Sequence, residues 1–217
     1  MSTMIMAIDG ACRRNGKPNC TAAGGVFVMH PDGRTTVMSC SEQESTNQRG
    51  ELSALLMALQ YATCQQCEVQ LITDSEYIFN AMAKQWYSRW RAYGWTTAAG
   101  DPVKNKDIWQ QVCDIMENST NEVHFYHIKG HCIPFGKVTA ENALFFDSSG
   151  ELLLNKVSEK FEQVKDTRQD IFAAAQQLSE KNNGFKLPEK VFKRFVVFNT
   201  VADAIATHAV EIADRER

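Results

Sequence analysis

Two aspartates stand where runs of apolar residues stop. Asp9 follows Met4-Ile5-Met6-Ala7-Ile8, and Asp74 follows Val69-Gln70-Leu71-Ile72-Thr73 and leads straight into a helical pattern. A third acid, Glu51, opens a helical stripe on its apolar side, beside Leu52 and Leu55. If the two apolar runs are adjacent strands, these carboxylates arrive side by side, a Coulomb cost that a cation between them would relieve. Acids so placed suit phosphodiester hydrolysis. Two divalent ions roughly 3.5–4 Å apart can orient a water, stabilise the leaving oxygen and neutralise phosphate charge. Mg²⁺ takes oxygen ligands and keeps several waters, so a few carboxylates suffice. Taken singly, each acid reads more simply as a helix N-terminal charge or a solvated strand end; the joint arrangement is what points to metal-assisted chemistry.

The elements that must position these acids are legible in the patterning. Met4 to Ala11, Ala22 to Met29 and Arg34 to Cys40 are short apolar runs, the last two joined by the turn signal Pro31-Asp32-Gly33, which predicts an antiparallel meander. Leu52, Leu55, Leu56, Leu59 and Ala62 then recur at helical spacing, with Asn47 as the expected N-cap. Val69 to Thr73 predicts a buried strand, followed by a helix through Tyr77, Ile78 and Met82. A further helix carries Ile108, Val112, Ile115 and Met116, and Val123 to Ile128 predicts the last strand. Strand, helix, strand, helix, strand after a meander implies an α/β fold with a mixed five-stranded sheet flanked by helices. Beyond residue 131 the pattern loosens. Val157, Phe161, Val164, Ile171, Ala175 and Leu178 make one stripe that stops near Asn182-Asn183-Gly184, Val191 to Phe198 is an apolar run, and Val201 to Ala213 is again helical.

Composition bounds the remaining classes. The chain has 217 residues, 44% hydrophobic and 23% charged, enough for one domain with a sizeable core or one domain with a large insertion. No run approaches the ~18 consecutive apolar residues of a spanning helix, and the start lacks the pattern of a secretory signal. Seven scattered cysteines read as reduced thiols of a cytoplasmic protein. Cys64 and Cys67 form a C-x-x-C, but two further ligands at zinc spacing are missing nearby. The net charge of −3 does not suit phosphate binding, although its distribution matters more than its sum. Lys84, Arg89, Arg91, Lys104 and Lys106 against Asp101 alone make residues 84–106 locally +4.

Four segments, in order, resemble type 1 ribonuclease H. They are Asp9-Gly10-Ala11-Cys12-Arg13-Arg14-Asn15-Gly16, Thr46-Asn47-Gln48-Arg49-Gly50-Glu51-Leu52, Thr73-Asp74-Ser75-Glu76-Tyr77 and Lys129-Gly130-His131. The resemblance covers residues 1–131 almost continuously. It implies a ribonuclease H enzyme: an endonuclease that hydrolyses the RNA strand of RNA–DNA hybrids with two Mg²⁺ (or Mn²⁺) ions, leaving 3′-hydroxyl and 5′-phosphate ends. Asp9, Glu51 and Asp74 would be metal ligands. His131, an ordinary surface histidine on spacing alone, would assist proton movement or product release on a mobile loop. Asn15, Asn47 and Gln48 would contact the hybrid, with backbone near Gly10 and Gly50 reading ribose 2′-hydroxyls, and Thr46 would sit by a DNA-strand phosphate. Trp86, Arg89 and Trp90, ahead of Lys104 and Asn105, resemble the basic protrusion that some members use to grip the DNA strand; Trp86 and Trp90, four apart, also suit simple packing on one helix face.

The family's fourth carboxylate does not follow His131 here. Two residues compete for it. Asn199-Thr200-Val201-Ala202-Asp203-Ala204-Ile205-Ala206 resembles the family's final motif and opens the terminal amphipathic stretch. Asp147, after Glu141-Asn142, is spaced differently and is followed by a turn. Choosing Asp203 as the fourth catalytic acid and metal ligand leaves 1–131 plus 199–217 as the domain and 132–198 as a mostly helical insertion. That segment carries ten basic and nine acidic residues. It would extend the substrate grip, gate access, bind a replication protein, or pack passively on the body. A monomer with no membrane association is expected. The rival readings are a non-catalytic hybrid- or duplex-binding module on the same fold and a related DNA nuclease of the resolvase or integrase kind.

Overall fold

The computed structural model describes residues 2–135 and 143–216; Glu141 and Asn142, which precede Asp147, lie outside the described residues. Five strands form one sheet in the order β3-β2-β1-β4-β5. β1 (Thr3–Arg13), β2 (Thr21–Met29) and β3 (Thr35–Gln43) are the antiparallel meander, while β4 (Glu68–Thr73) pairs parallel to β1 and β5 (Val123–His127) parallel to β4. The expected mixed sheet with flanking helices and a helical insertion is therefore the observed architecture.

Side chains alternate across a strand, so β1 feeds two cores. Met4, Met6 and Ile8 join α1 (Asn47–Thr63), α2 (Glu76–Ala83) and α4 (Lys106–Asn118) on one face, around Leu52, Leu55, Ile78 and the fully buried Trp109. Ile5 and Ala7 face the other core, built by α7 (Glu189–Arg215) with α5 (Glu151–Val164) and α6 (Gln169–Asn183). α7 lies directly on β2 because Gly25 has no side chain: a Cβ there would stand 2.5 Å from both Ala202 O and Ala206 N. A short helix, α3 (Trp86–Ala92), sits between α2 and α4.

Three local expectations are corrected. Thr46, not Asn47, is the N-cap of α1; its extended backbone lets Oγ1 accept from Arg49 N at 3.3 Å, whereas Asn47 is the first helical residue. The stripe from Val157 to Leu178 is two helices, broken between Val164 and Gln169, where Thr167 Oγ1 donates to Val164 O and the chain turns so that Phe161 meets Phe172 at 5.3 Å. The apolar run Val191–Phe198 and the terminal stretch are one continuous helix of 27 residues, so position 199 falls inside an element. That helix is long and apolar enough to cross a membrane by composition, but 72% of its most apolar window is buried in the fold. It is a core helix.

The segment after β5 is fastened to that strand by side chains. Asn183 Oδ1 accepts from His127 N (2.8 Å), its Nδ2 donates to His127 O (3.0 Å), and Ser179 Oγ donates to the same carbonyl (2.9 Å). Gly184 ends α6 in the left-handed region with φ 81°, as the Asn182-Asn183-Gly184 stop predicts.

Candidate functional site

Asp9 lies where β1 parts from β4. The parallel register ends at Ile8 opposite Thr73, while β1 itself continues to Arg13 along β2, so Asp9 sits within the strand rather than capping it. Asp74 is the residue after Thr73, and Ser75 caps α2, accepting from Ile78 N. Glu51 is in the second turn of α1, and Asp203 is on α7. His131 follows β5 in a left-handed conformation (φ 56°), its ring 3.3 Å from Asp203 through Nδ1 and Oδ2. A side chain at Gly130 would collide with Asp74 Oδ2, so only glycine lets the loop pass this close to the carboxylate. The structure thus brings Asp9, Glu51, Asp74, His131 and Asp203 into one neighbourhood. Asp147 is elsewhere, its Oδ1 and Oδ2 taking Gly150 N (2.9 Å) and Ser149 Oγ (2.6 Å) at the turn into α5.

The electrostatics record this crowding. Burial pushes the Asp9 carboxyl well above the usual range, Asp74, Asp203 and Glu51 push it further, and the Gly10 N–H opposes them. Asp74 is pushed up to about 6, first by burial and then by Glu51, with His131 pulling it back. Glu51 is raised by burial against a hydrogen bond from Ser75. His131 is raised by its bond to Asp203.

Convergence of charge is not a metal site, however. Glu51 spends both oxygens inside the protein, Oε1 on Asn47 Nδ2 (2.9 Å) and Oε2 on Ser75 Oγ (2.6 Å). Asp9 Oδ1 accepts from Gly10 N at 2.6 Å, and Asp203 is turned to His131. Among the described residues, no group of three or more His, Cys, Asp and Glu side chains is arranged to hold a metal ion. The expectation of Mg²⁺ or Mn²⁺ ligation by Asp9, Glu51, Asp74 and Asp203 is corrected on that ground. With it fall the two-metal endonuclease, the ribonuclease H enzyme and the description as a magnesium-dependent hydrolase, because no such group is assembled among the described residues and Asp9, Glu51 and Asp203 are engaged with their own neighbours.

Around these acids lie the residues expected to meet nucleic acid. Asn15 is exposed, and its Oδ1 accepts from Asn47 N (3.3 Å), tying the β1–β2 turn to the start of α1. Gln48 is half-buried beside it, and Gly10 and Gly50 lie where β1, β2 and α1 cross. Arg49, which sequence reasoning passed over, braces this corner by reaching Glu42 (2.7 Å) and Asp107 (2.6 Å). Its place in the Thr46–Leu52 segment was the only signal, and nothing in the spacing named its partners. Ser75, the partner of Glu51, was equally silent.

Trp86, Arg89 and Trp90 share α3 and line, with Tyr77, Tyr93 and Thr96, a cavity of about 660 Å³. Trp86 and Trp90 do pack together, at 6.2 Å between centroids, and Trp90 also meets Trp109 at 5.3 Å. Packing and an open aromatic wall coexist here. The +4 window is weaker than its count, since Arg91 is paired with Asp114 (2.8 Å) and Glu117 (3.2 Å). Lys84 lies 5.7 Å over the Trp86 ring. Lys104 is exposed, and Asn105 (φ 54°) makes the left-handed turn into α4. Cys64 and Cys67 are both free thiols.

Comparison with known proteins places this geometry. The family model described as RNase H matches residues 1–144. The ribonuclease H of Clostridium botulinum is 34% identical over 131 residues, covering 60% of this chain and 85% of that one. That of Thermus thermophilus is 39% identical over 123 residues, covering 57% and 70%. Among solved structures, LC9-RNase H1, a type 1 RNase H with the type 2 active-site motif, superposes with a TM-score of 0.50 at 24% identity, over 60% of this chain and 64% of that one. A prototype foamy virus protease–reverse transcriptase reaches the same TM-score at 20% identity, over 69% of this chain and 20% of the viral one. At these identities the two structures speak to the fold alone.

Proposed function

Because the chain belongs to the ribonuclease H family, we propose that it is a non-catalytic module that uses this fold to bind nucleic-acid duplex, RNA–DNA hybrid above all. One observation carries the reading. Asp9 and Glu51 are hydrogen-bonded inward, while several polar and cationic side chains on the surrounding elements are open to solvent. Asn15, Thr46 and Lys104 are exposed, and Arg89 is exposed over the aromatic cavity.

Each group has a duplex-binding role by its chemistry. Asn15, Asn47 and Gln48 contact the hybrid at the β1–α1 corner, with backbone near Gly10 and Gly50 facing ribose 2′-hydroxyls, the groups that distinguish RNA from DNA. Thr46 takes a DNA-strand phosphate. Trp86 and Trp90 offer aromatic faces to sugars or bases, and Arg89, Lys104 and Asn105 serve the DNA-strand backbone. The acids oppose phosphate less than their number suggests. Asp9 is buried with its carboxyl pushed upward by burial, and Asp203 is turned to His131 at 3.3 Å. These contacts all lie within residues 1–131, which with 199–217 form the proposed domain; the segment 132–198 is an insertion into it whose end runs without a break into the domain's helix α7.

Fluorescence anisotropy with labelled RNA–DNA hybrid, duplex DNA and duplex RNA, in EDTA and across a salt series, tests the reading. Binding to hybrid without divalent cation is expected, weakening with salt as phosphate contacts demand. The same hybrid, incubated with Mg²⁺ and resolved on a denaturing gel, is expected to stay intact. No binding to any duplex at low salt overturns the proposal, as does hybrid cleavage that Asp74→Asn abolishes.

A further inference from the structure

The residues matched to the family stop at 144, so α5, α6 and their junction lie outside the matched part of the chain. Their near-neutral charge gives no reason to expect a phosphate contact there. The fold nevertheless delivers one cation from that segment to the strand ends. Arg168, at the break between α5 and α6, donates from Nη1 to Cys132 O at 2.6 Å, one residue beyond His131. The tether holds the guanidinium on the wall of a cavity of about 570 Å³. The other walls are the end of β1 around Arg13, the loop at His131, and α7 at Asp203 and Glu211.

The acids of this cavity are turned to other partners than Arg168. Asp203 faces His131 at 3.3 Å. Glu211 faces Arg13 at 3.6 Å, and Arg13 also reaches Asp214 at 3.1 Å. Among the described residues no carboxylate forms an ion pair with Arg168, which is half-buried. One Nη is spent on Cys132, so the rest of the fork is free to donate, and a guanidinium fork matches two oxygens of a phosphate.

Placement decides what the anion is. Arg89 and Lys104 flank the sheet on the side of α1 to α4, whereas Arg168 belongs to the side of α5 to α7. A duplex crossing the ends of β1 and β4 would meet cations on both flanks, and the cavity is large enough for a phosphodiester with parts of its two riboses. We infer that Arg168, in the cavity between the His131 loop and α7, binds a backbone phosphate of the duplex and makes the insertion part of the binding surface. The inference rests on the duplex-binding reading above.

The test is the salt dependence of hybrid binding by the full chain. Each phosphate contact contributes a slope of about 0.9 in log Kobs against log salt. Arg168→Ala and Arg168→Gln are each expected to lower the magnitude of that slope by about one such unit. Arg168→Gln retains a donor for Cys132 O, so its thermal midpoint monitors the fold, and Arg168→Lys, which keeps the charge, is expected to restore the wild-type slope. Wild-type binding with an unchanged slope in both neutral variants overturns this inference and leaves the duplex-binding reading standing. Absence of wild-type binding overturns both.

Discussion

Asp74→Asn is expected to stabilise the protein, and to do so only where the wild-type carboxyl is ionised. In the folded chain Asp74 is pushed from 3.8 to about 6, chiefly by burial and then by Glu51. The folded state therefore holds this proton more tightly than the unfolded state. The stability linked to it is fully present below pH 3.8 and is lost as the pH rises through about 6. A shift of about 2 units is worth about 3 kcal/mol at 1.36 kcal/mol per unit. Asparagine has nearly the same shape, cannot ionise, and removes the charge that Glu51 opposes. Urea denaturation from pH 4 to pH 8 would read the effect. At pH 8 the variant should gain up to about 3 kcal/mol, and at pH 4 the gain should fall to about 0.5 kcal/mol. A difference between variant and wild type that stays constant across this range refutes the assignment of the strain to an ionised, buried carboxyl.

Three other perturbations probe separate statements. If no metal site is assembled, Mg²⁺ at about 10 mM should leave the denaturation midpoint where ionic-strength-matched KCl leaves it; a site with a Kd one hundredth of that concentration would add about 2.7 kcal/mol, and such a rise would restore the metal reading. Gly25→Ala drives a Cβ into Ala202 O and Ala206 N at 2.5 Å and should cost about 1–3 kcal/mol by thermal unfolding, with a native-like value contradicting the close approach of α7 to β2. Asn183→Ala strips the His127 N–H of its acceptor and should cost about 1–3 kcal/mol. The His127 amide should then exchange faster, and unchanged protection would show that another group satisfies it.

What the sequence disclosed follows from the range of the interactions involved. Alternation and helical spacing are local, so the meander, β4, β5 and α1 were legible, and so was the arrival of Asp9 and Asp74 on neighbouring strands. The break between α5 and α6 was not, because Val164 and Ile171 keep a helical period across it and neither Gly nor Pro interrupts Lys165 to Arg168. Asn199 and Thr200 read as the opening of the terminal stretch, yet both are buried well inside α7. The partners of the carboxylates were beyond reach for a different reason. Whether Glu51 faces an ion or Ser75 depends on how α1 approaches the start of α2, a tertiary distance that no residue type encodes. Thr46 and Asn47 are both good cap residues, and only the backbone conformation chooses between them.

The position of α7 has a consequence for how the protein is made. Ile5, Ala7, Phe27 and Ile72, from β1, β2 and β4, are buried in the core that α7 completes. Those three strands are synthesised first, and α7 follows the whole of α5 and α6. At about 5–20 residues per second, that interval lasts on the order of ten seconds. Throughout it one side of the sheet is greasy and uncovered, and β5 lacks the Asn183 fastening. The nascent chain is then most vulnerable to sticking to its neighbours, and a ribosome-side holdase has the most to do.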